Sequence, residues 1–161
     1  MVRFDEGVTS ASIRLREDDD VPGCVALLAD VHQVHRYPIH WPDDSAAWLT
    51  PSGMAVAWVA APYDEVVGHV CLVHRDGLAR VLALERLFVS PTMARLGVGV
   101  ALVTQASEWA KSEEHRLTLD VAENCADAIG LYKRLGWHLT GRTRIPWGED
   151  AARYLLHFVA P

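Results

Sequence analysis

The chain has 161 residues, of which 50% are hydrophobic and 22% are charged, and its formal net charge at pH 7 is -6. A chain of this length buries too little surface to form two cores, so we expect one domain over residues 1–161. The negative charge and the lack of Lys/Arg runs disfavour a nucleic-acid partner, because such binding depends on clustered cations. Without an apolar run long enough for a bilayer, or a secretory leader, we expect a cytoplasmic protein with no membrane partner.

Neither disulfides nor a metal site are indicated. The three cysteines are far apart in the sequence, and an odd number without a C-x-x-C pair predicts free thiols. His32, His35 and His40 have no Asp, Glu or Cys at a metal-ligand spacing. We therefore predict that they are structural or line a substrate site, and that no metal is bound.

The first third of the chain predicts a strand, a helix and an irregular segment. The strand runs from Ser12 to Arg16, and the helix follows the acidic residues before Pro22 and continues to about Arg36, because carboxylates and proline favour a helix start. Apolar residues at helical spacing predict its buried face. They are Val21, Cys24, Val25, Leu28, Val31 and His35. The proline-rich segment 37–51 is predicted to be irregular.

The centre of the chain predicts two antiparallel strands and a βαβ unit. The runs 54–61 and 66–74 are rich in β-forming residues, and the turn-forming residues between them favour a hairpin. A further strand at 81–89, a helix from Gly97 to about Ser112 and a strand at 117–121 follow. A strand, helix and strand in this order predict a locally parallel pair.

The last third predicts a helix and two strands. Asn124 is predicted as the N-cap of a helix that continues through Leu135, and Gly136 as the residue that ends it. The segments 137–144 and 153–159 are predicted strands around a loop. The complete order predicts an α/β fold with a mixed sheet.

A glycine-containing turn after strand 81–89 predicts an anion site. In Ala94-Arg95-Leu96-Gly97-Val98-Gly99, two glycines allow the main chain to approach a pyrophosphate, and the helix start supplies uncommitted N–H groups. Arg95 adds a charged donor. A Rossmann fingerprint would need glycine where Leu102 stands, and the G-K-[ST] of the Walker motif is absent. A tight turn that simply requires small residues is the alternative.

Two motifs resemble the GNAT N-acetyltransferase superfamily over about residues 12–160. The strand ending in V-x-P and the following turn are similar to the family's R/Q-x-x-G-x-G/A signature, although Ala94 stands at its Arg/Gln position. The segment from Asn124 to Trp137 is similar to the family's Asn-x-x-A-x-x-LY-x-x-x-GF/W. The resemblance implies a mostly antiparallel sheet with one splayed parallel pair, helices on both faces, and acetyl-CoA as cosubstrate.

The resemblance also implies the residues that hold acetyl-CoA. Main-chain groups of the strand would pair with the pantetheine arm, and those of the turn would bind the phosphates. These residues are Leu87, Phe88, Val89, Arg95, Leu96, Gly97, Val98, Gly99 and Val100. Asn124 would contact the pantetheine, with helix capping as the alternative.

Two residues are candidates for proton transfer. The resemblance implies that Tyr132 is the general acid for the leaving thiolate, and its usual pKa of about 10 keeps it protonated at neutral pH. A core tyrosine is the alternative. Glu85 is predicted to share a face with Leu87 and Val89, and similarity to aminoglycoside-modifying enzymes implies a base or an amine anchor. A salt bridge at a sheet edge is the alternative.

Other residues near these motifs have weaker support. Cys125 suggests an acetyl-cysteine intermediate, but no histidine partner is marked by the sequence, so direct transfer is preferred. Trp41, Trp48 and Trp147 fall in segments that the resemblance places around the acceptor pocket. Large aromatic residues also often cover a core edge.

The sequence therefore predicts an N-acetyltransferase that moves the acetyl group of acetyl-CoA to a primary amine of a small molecule or peptide in a ternary complex. A non-catalytic acyl-CoA sensor or partner-binding module is the alternative on the same fold. A third hypothesis is a domain that binds another nucleotide. The segment around Tyr132 argues against this hypothesis. The amine is not identified by the sequence, and a homodimer is left open.

Overall fold

A computed structural model describes residues 12–146 and 153–161. Its strands, in chain order, are β1 (Ile13–Leu15), β2 (Met54–Ala60), β3 (Gly68–His74), β4 (Val81–Val89), β5 (Arg116–Ala122), β6 (His138–Arg144) and β7 (Tyr154–Val159). The α-helices are α1 (Val21–His35), α2 (Ser45–Leu49), α3 (Val98–Ser112) and α4 (Ala126–Arg134). These bounds agree closely with the predicted strands and with three of the helices.

The strands form one seven-stranded sheet in the order β1-β2-β3-β4-β5-β7-β6. All neighbours are antiparallel except β4 and β5, which pair in parallel from Val81 opposite Arg116 to Ala83 opposite Thr118. The connection between them is α3, as the βαβ pattern predicts. The predicted α/β class, with its mostly antiparallel sheet and single parallel pair, is therefore confirmed.

Helices cover both faces of the sheet. Under α3, a core cluster combines Leu102, Val103 and Ala106 with apolar side chains of β3, β4 and β5. On the other face, α1 and α2 pack on Val59 and Phe88. None of the helices within residues 12–146 and 153–161 is long and apolar enough to cross a bilayer.

Three local predictions on these helices were wrong. His35 is exposed, and Leu27 takes its place on the buried face of α1, because the helix turns its last residues away from the sheet. Segment 37–51 is not wholly irregular, since α2 forms where the Asp44 carboxylate accepts a hydrogen bond from the Ala47 amide at 2.9 Å. The N-cap of α4 is Cys125 rather than Asn124.

A β-bulge changes the face on which the β4 side chains lie. Cys71 of β3 is opposite Glu85, but His69 is opposite Phe88, so β4 contains one extra residue at this point. Arg86 lies in the bulge with φ of 52°, in the left-handed region. Bulges of this kind re-aim side chains and interrupt simple alternation.

The bulge makes the predicted face of Glu85 wrong. Leu87 and Val89 pack on the core under α3. Glu85 is opposite Cys71, whose side chain clusters on the other face of the sheet, and directly opposite residues share a face. Glu85 and Phe88 thus point toward α1 and α2.

His69 holds the bulge in place. Its side chain is fully buried and stacks on Phe88 with 5.1 Å between ring centroids. A carbonyl only accepts and a guanidinium only donates. His69 Nδ1 therefore donates to the Arg86 carbonyl at 2.9 Å, and Nε2 accepts from Arg16 Nη1 at 3.0 Å. These two hydrogen bonds require the neutral form of the imidazole.

The close approach of α3 to β3 depends on Gly68. A Cβ at this position would lie 2.9 Å from both Leu102 Cδ1 and Val98 Cγ1, which is too close for a carbon contact. We expect Gly68→Ala to lower the free energy of unfolding by about 1–3 kcal/mol, as overpacking does, measured by urea denaturation. Gly141→Ala is the matched control, because a Cβ there meets no atom within 4 Å. Equal effects of both substitutions would contradict this packing.

The buried neutral His69 makes stability depend on pH. Burial lowers the pKa of His69 from 6.5 to about 4, so between these values the unfolded chain binds a proton that the folded chain does not. The stabilisation is complete above pH 6.5 and is lost as the pH falls toward 4, a total of about 3 kcal/mol. Urea unfolding of wild type and His69→Gln should show a shallower pH slope in the variant. The exposed His138, replaced in His138→Gln, should leave the slope unchanged.

Candidate active site

The sheet opens into a wedge between β4 and β5. Their parallel pairing ends at Ala83 and Thr118, although both strands continue, β4 to Val89 and β5 to Ala122. Beyond this point β4 pairs with β3 only. The main-chain groups of Leu87, Phe88 and Val89 that face β5 are therefore available to an extended ligand.

The glycine turn lies at the open end of the wedge. Gly97 is the N-cap of α3, with φ of 83° and no side-chain capping bond, so the first amides of the helix are left for a ligand. A Cβ on Gly97 would meet no atom within 4 Å, which shows that the space above the turn is open. Arg95, Leu96 and Val100 are exposed around it. The uncapped amides and the open space suit a pyrophosphate.

Tyr132 belongs to the core cluster on the α3 side of the sheet. It is 5% exposed and packs against Trp137 and Phe158, with ring centroids 5.6 Å and 6.2 Å away. Burial, with a smaller contribution from Cys125, raises the pKa of Tyr132 above its usual value of 10. The hydroxyl therefore stays protonated at neutral pH, as a proton donor must, and it makes no hydrogen bond to residues 12–146 or 153–161.

Glu85 lies on the opposite face and is paired with an arginine. Arg86 Nη1 donates to Glu85 Oε2 at 2.5 Å, and the two side chains are 22% and 34% exposed. Arg86 also donates from Nε to the Trp48 carbonyl at 3.2 Å, and its guanidinium lies 4.5 Å from the centroid of the Trp48 ring. Trp48 is thus brought next to Glu85, and the salt bridge considered from the sequence is present.

Tyr37 belongs to the same group of residues, although sequence reasoning missed it. Its ring packs edge-on to Trp48, 6.1 Å between centroids. Burial raises the pKa of Tyr37, the Arg86 guanidinium opposes the rise, and Tyr132 and Glu85 add to it. Tyr37 packs against the cluster that α1 and α2 form with Val59 and Phe88. The only signal in the sequence was its place just after α1.

A second carboxylate, Asp120, lies across the wedge from Glu85. Ala83 and Thr118 are register partners, so Glu85 and Asp120, each two residues further along, flank the point where the strands separate. Arg75 donates to Asp120 Oδ2 at 3.0 Å. Burial favours a higher pKa for Asp120, but hydrogen bonds from Arg75 and His157 lower it overall, so the carboxylate stays charged.

Asp120 continues into a hydrogen-bonded row across three strands. Its Oδ1 lies 2.6 Å from His157 Nδ1, and His157 Nε2 lies 2.6 Å from Thr143 Oγ1. Because the carboxylate only accepts, His157 Nδ1 carries a proton and donates a hydrogen bond to Asp120. The row fixes the orientation of Asp120. Sequence reasoning missed it because its members are far apart in the chain.

The remaining predicted residues are less closely associated with the wedge. Asn124 precedes α4 as an exposed residue, and its amide oxygen lies 3.9 Å from Cys125 Sγ. Desolvation raises the pKa of Cys125, which disfavours the thiolate that an acetyl-cysteine intermediate would need. Trp41 is 42% exposed and packs on His32 at 5.3 Å, whereas Trp147 lies outside the described residues. In the described part of the chain, no group of three His, Cys, Asp or Glu could hold a metal ion.

Comparisons with known proteins give relatives of two kinds. Peptidyl-lysine N-acetyltransferase YjaB of Salmonella typhimurium is 33% identical over 92 residues, 56% of either chain, so this chain spans about half the length of that relative. Among solved structures, the ribosomal-protein-S18-alanine N-acetyltransferase of Escherichia coli has a TM-score of 0.75 at 19% identity, covering 92% of each chain. An aminoglycoside 6'-N-acetyltransferase complexed with coenzyme A has a TM-score of 0.72 at 17% identity, covering 91% of this chain and 94% of that one.

The structural matches are below 25% identity and establish the fold. A family model, that of the acetyltransferase (GNAT) family, matches residues 22–137. The matched region includes the wedge strands, the glycine turn and the helix that carries Tyr132. Because it comprises more than half of the sequence, the chain belongs to the acetyltransferase (GNAT) family.

Proposed function

We propose that this protein is an acetyl-CoA-dependent N-acetyltransferase that acetylates a primary amine by direct attack in a ternary complex. The observation that carries the proposal is the convergence of three features on the wedge. They are the uncapped start of α3 at Gly97, the protonated Tyr132 on one face of the sheet, and the carboxylate of Glu85 on the other. A donor site and an acceptor site would thus meet through the sheet.

Different groups of the chain would bind different parts of acetyl-CoA. Acetyl-CoA supplies an activated acetyl thioester. Amides at the start of α3 would bind its phosphates, and main-chain groups of Leu87 to Val89 would hold the pantetheine arm. Since these contacts use the backbone, alanine at position 94 removes only one side-chain contact. Asn124 is the candidate for a further contact, because its side chain does not cap α4.

Proton movement would involve groups on both faces. Glu85 would receive a proton of the attacking amine, directly or through water, and Tyr132 would donate one to the departing thiolate. Trp48 lies beside Glu85 through Arg86 and would line the acceptor site. Trp41 and Trp147 are further candidates for acceptor contacts.

The acceptor class has support from two directions. The relative YjaB is a peptidyl-lysine N-acetyltransferase, which makes a lysine side chain in a peptide one acceptor class to test. The aminoglycoside 6'-N-acetyltransferase has a similar fold, which keeps small-molecule amines in consideration. The alternative of a non-catalytic acyl-CoA sensor predicts binding without turnover.

Binding of acetyl-CoA can be tested by calorimetry with a variant at the turn. Gly97→Trp should weaken binding at least about tenfold, because the side chain would enter the open space over the α3 amides. Gly77→Trp is the matched control, since Gly77 also has a positive φ and open space around it but lies in the β3–β4 turn. ADP and coenzyme A serve as comparison ligands. Failure of the wild type to bind acetyl-CoA would refute the proposal.

Turnover tests the two proton roles. With an amine found in a thiol-release screen, Tyr132→Phe and Glu85→Gln should each lower kcat about 100-fold or more, the usual contribution of a general acid or base. Tyr63→Phe and Glu108→Gln are matched controls, because Tyr63 is 89% exposed and Glu108 is exposed on α3. Acetyl-CoA binding should be unchanged in all four. Binding without release of thiol from any amine would favour the sensor alternative.

A further inference from the structure

The carboxylates on the acceptor face already have cationic partners. Glu85 is paired with Arg86, and Asp120 with Arg75. Each pair is neutral as a whole, so the face has no uncompensated negative charge from these four groups. A site that attracts a polycation would need an excess of carboxylates, because attraction at a distance depends on net charge. These four groups therefore add no net negative charge that would favour such acceptors.

The partners of Arg86 leave part of its guanidinium available. Nη1 binds Glu85 and Nε binds the Trp48 carbonyl. The guanidinium plane lies against the Trp48 ring, which fixes its direction. Within residues 12–146 and 153–161, Nη2 has no hydrogen-bond partner, in contrast to Arg16, whose two terminal nitrogens bind Leu49, Thr50 and His69.

A second donor without a partner lies beside it. The Tyr37 hydroxyl makes no hydrogen bond to the described residues, and its ring contacts the same Trp48 that supports Arg86. Tyr37 and Arg86 therefore pack against the same indole ring, at 6.1 Å and 4.5 Å from its centroid. A guanidinium edge and a phenol hydroxyl together form a donor pair suited to a carboxylate.

Insertion of a zwitterion would preserve the charge balance. An ammonium group at Glu85 and a carboxylate at Arg86 would convert one ion pair into a ring of alternating charges without a net change. A simple cationic amine would gain Glu85 but would meet the positive charge of Arg86. The Arg86 guanidinium is held in this position by the Trp48 carbonyl, the Trp48 ring and Glu85. The two acceptor types are therefore separated electrostatically.

We propose that the acceptor is an amine that carries a carboxylate close to the amino group, as a free α-amino acid does, with the ammonium on Glu85 and the carboxylate on Arg86 and Tyr37. The inference rests on the proposed acetyl transfer and names its substrate class. Arg86 and Tyr37 are the specificity-determining residues. Polyamines and aminoglycosides are disfavoured by the same arrangement.

The test compares acceptors that differ only in the carboxylate. Each free L-amino acid is measured against its amide in thiol release, with spermidine, kanamycin and a lysine-containing peptide alongside. The proposal expects kcat/KM for the best amino acid to exceed that of its amide at least tenfold. Arg86→Gln should remove this preference by lowering kcat/KM for the acid alone, and Tyr37→Phe should reduce it. Arg80→Gln is the matched control, because Arg80 pairs with Glu114 at the surface.

Calorimetry in the presence of coenzyme A gives a readout that does not need turnover. Phenylalanine should bind wild type more tightly than phenylalaninamide, and Arg86→Gln should lose the difference while Arg80→Gln keeps it. Equal affinity for acid and amide across the amino acids, or a preference for spermidine, kanamycin or the peptide, would overturn the proposal. Binding of amino acids without thiol release would instead refute the acetyl transfer and leave the recognition established.

Discussion

The contact between His69 and the backbone carbonyl of Arg86 is the interaction on which the site depends. It stabilises an extra residue in β4 at the point where the strand leaves β5. Without this bulge, strict alternation would put Glu85 on the same face as Leu87 and Val89. With it, one strand presents apolar side chains to the core and a carboxylate to the opposite face. A buried neutral imidazole is well suited to the task, because it donates to the carbonyl and accepts from Arg16 without adding charge.

The wedge is the place where the sheet no longer separates its two faces. Elsewhere the paired strands separate the core under α3 from the cluster under α1. At the end of the β4–β5 pairing, after Ala83 and Thr118, this barrier opens. A reaction that needs an acid on one side of a bond and a base on the other can use such an opening.

The fold could be predicted from the sequence because local signals determined it. Periodicity and turn residues predicted the strands, and the order of β4, α3 and β5 predicted their parallel pairing. The glycine turn was identifiable for the same reason, since Gly97 requires a positive φ and lies next to a helix start. The face of Glu85 was predicted wrongly because the bulge depends on His69, which lies on another strand. The row from Asp120 through His157 to Thr143 was not predictable either, since each contact joins residues from different strands.

The proposed donor and acceptor halves of the site differ in how well the sequence predicts them, because they use different kinds of groups. The proposed donor half consists of backbone groups at a turn and a strand edge, and backbone geometry leaves a recognisable pattern of glycine, proline and apolar residues. The proposed acceptor half consists of side chains from α2, β4 and the residues after α1, which leave no fixed spacing. The pairings of Glu85 with Arg86 and of Asp120 with Arg75 show that both carboxylates have a cationic partner in the folded protein. In the proposed acetyl transfer, this local pairing, rather than the net charge of the chain, would select the amine.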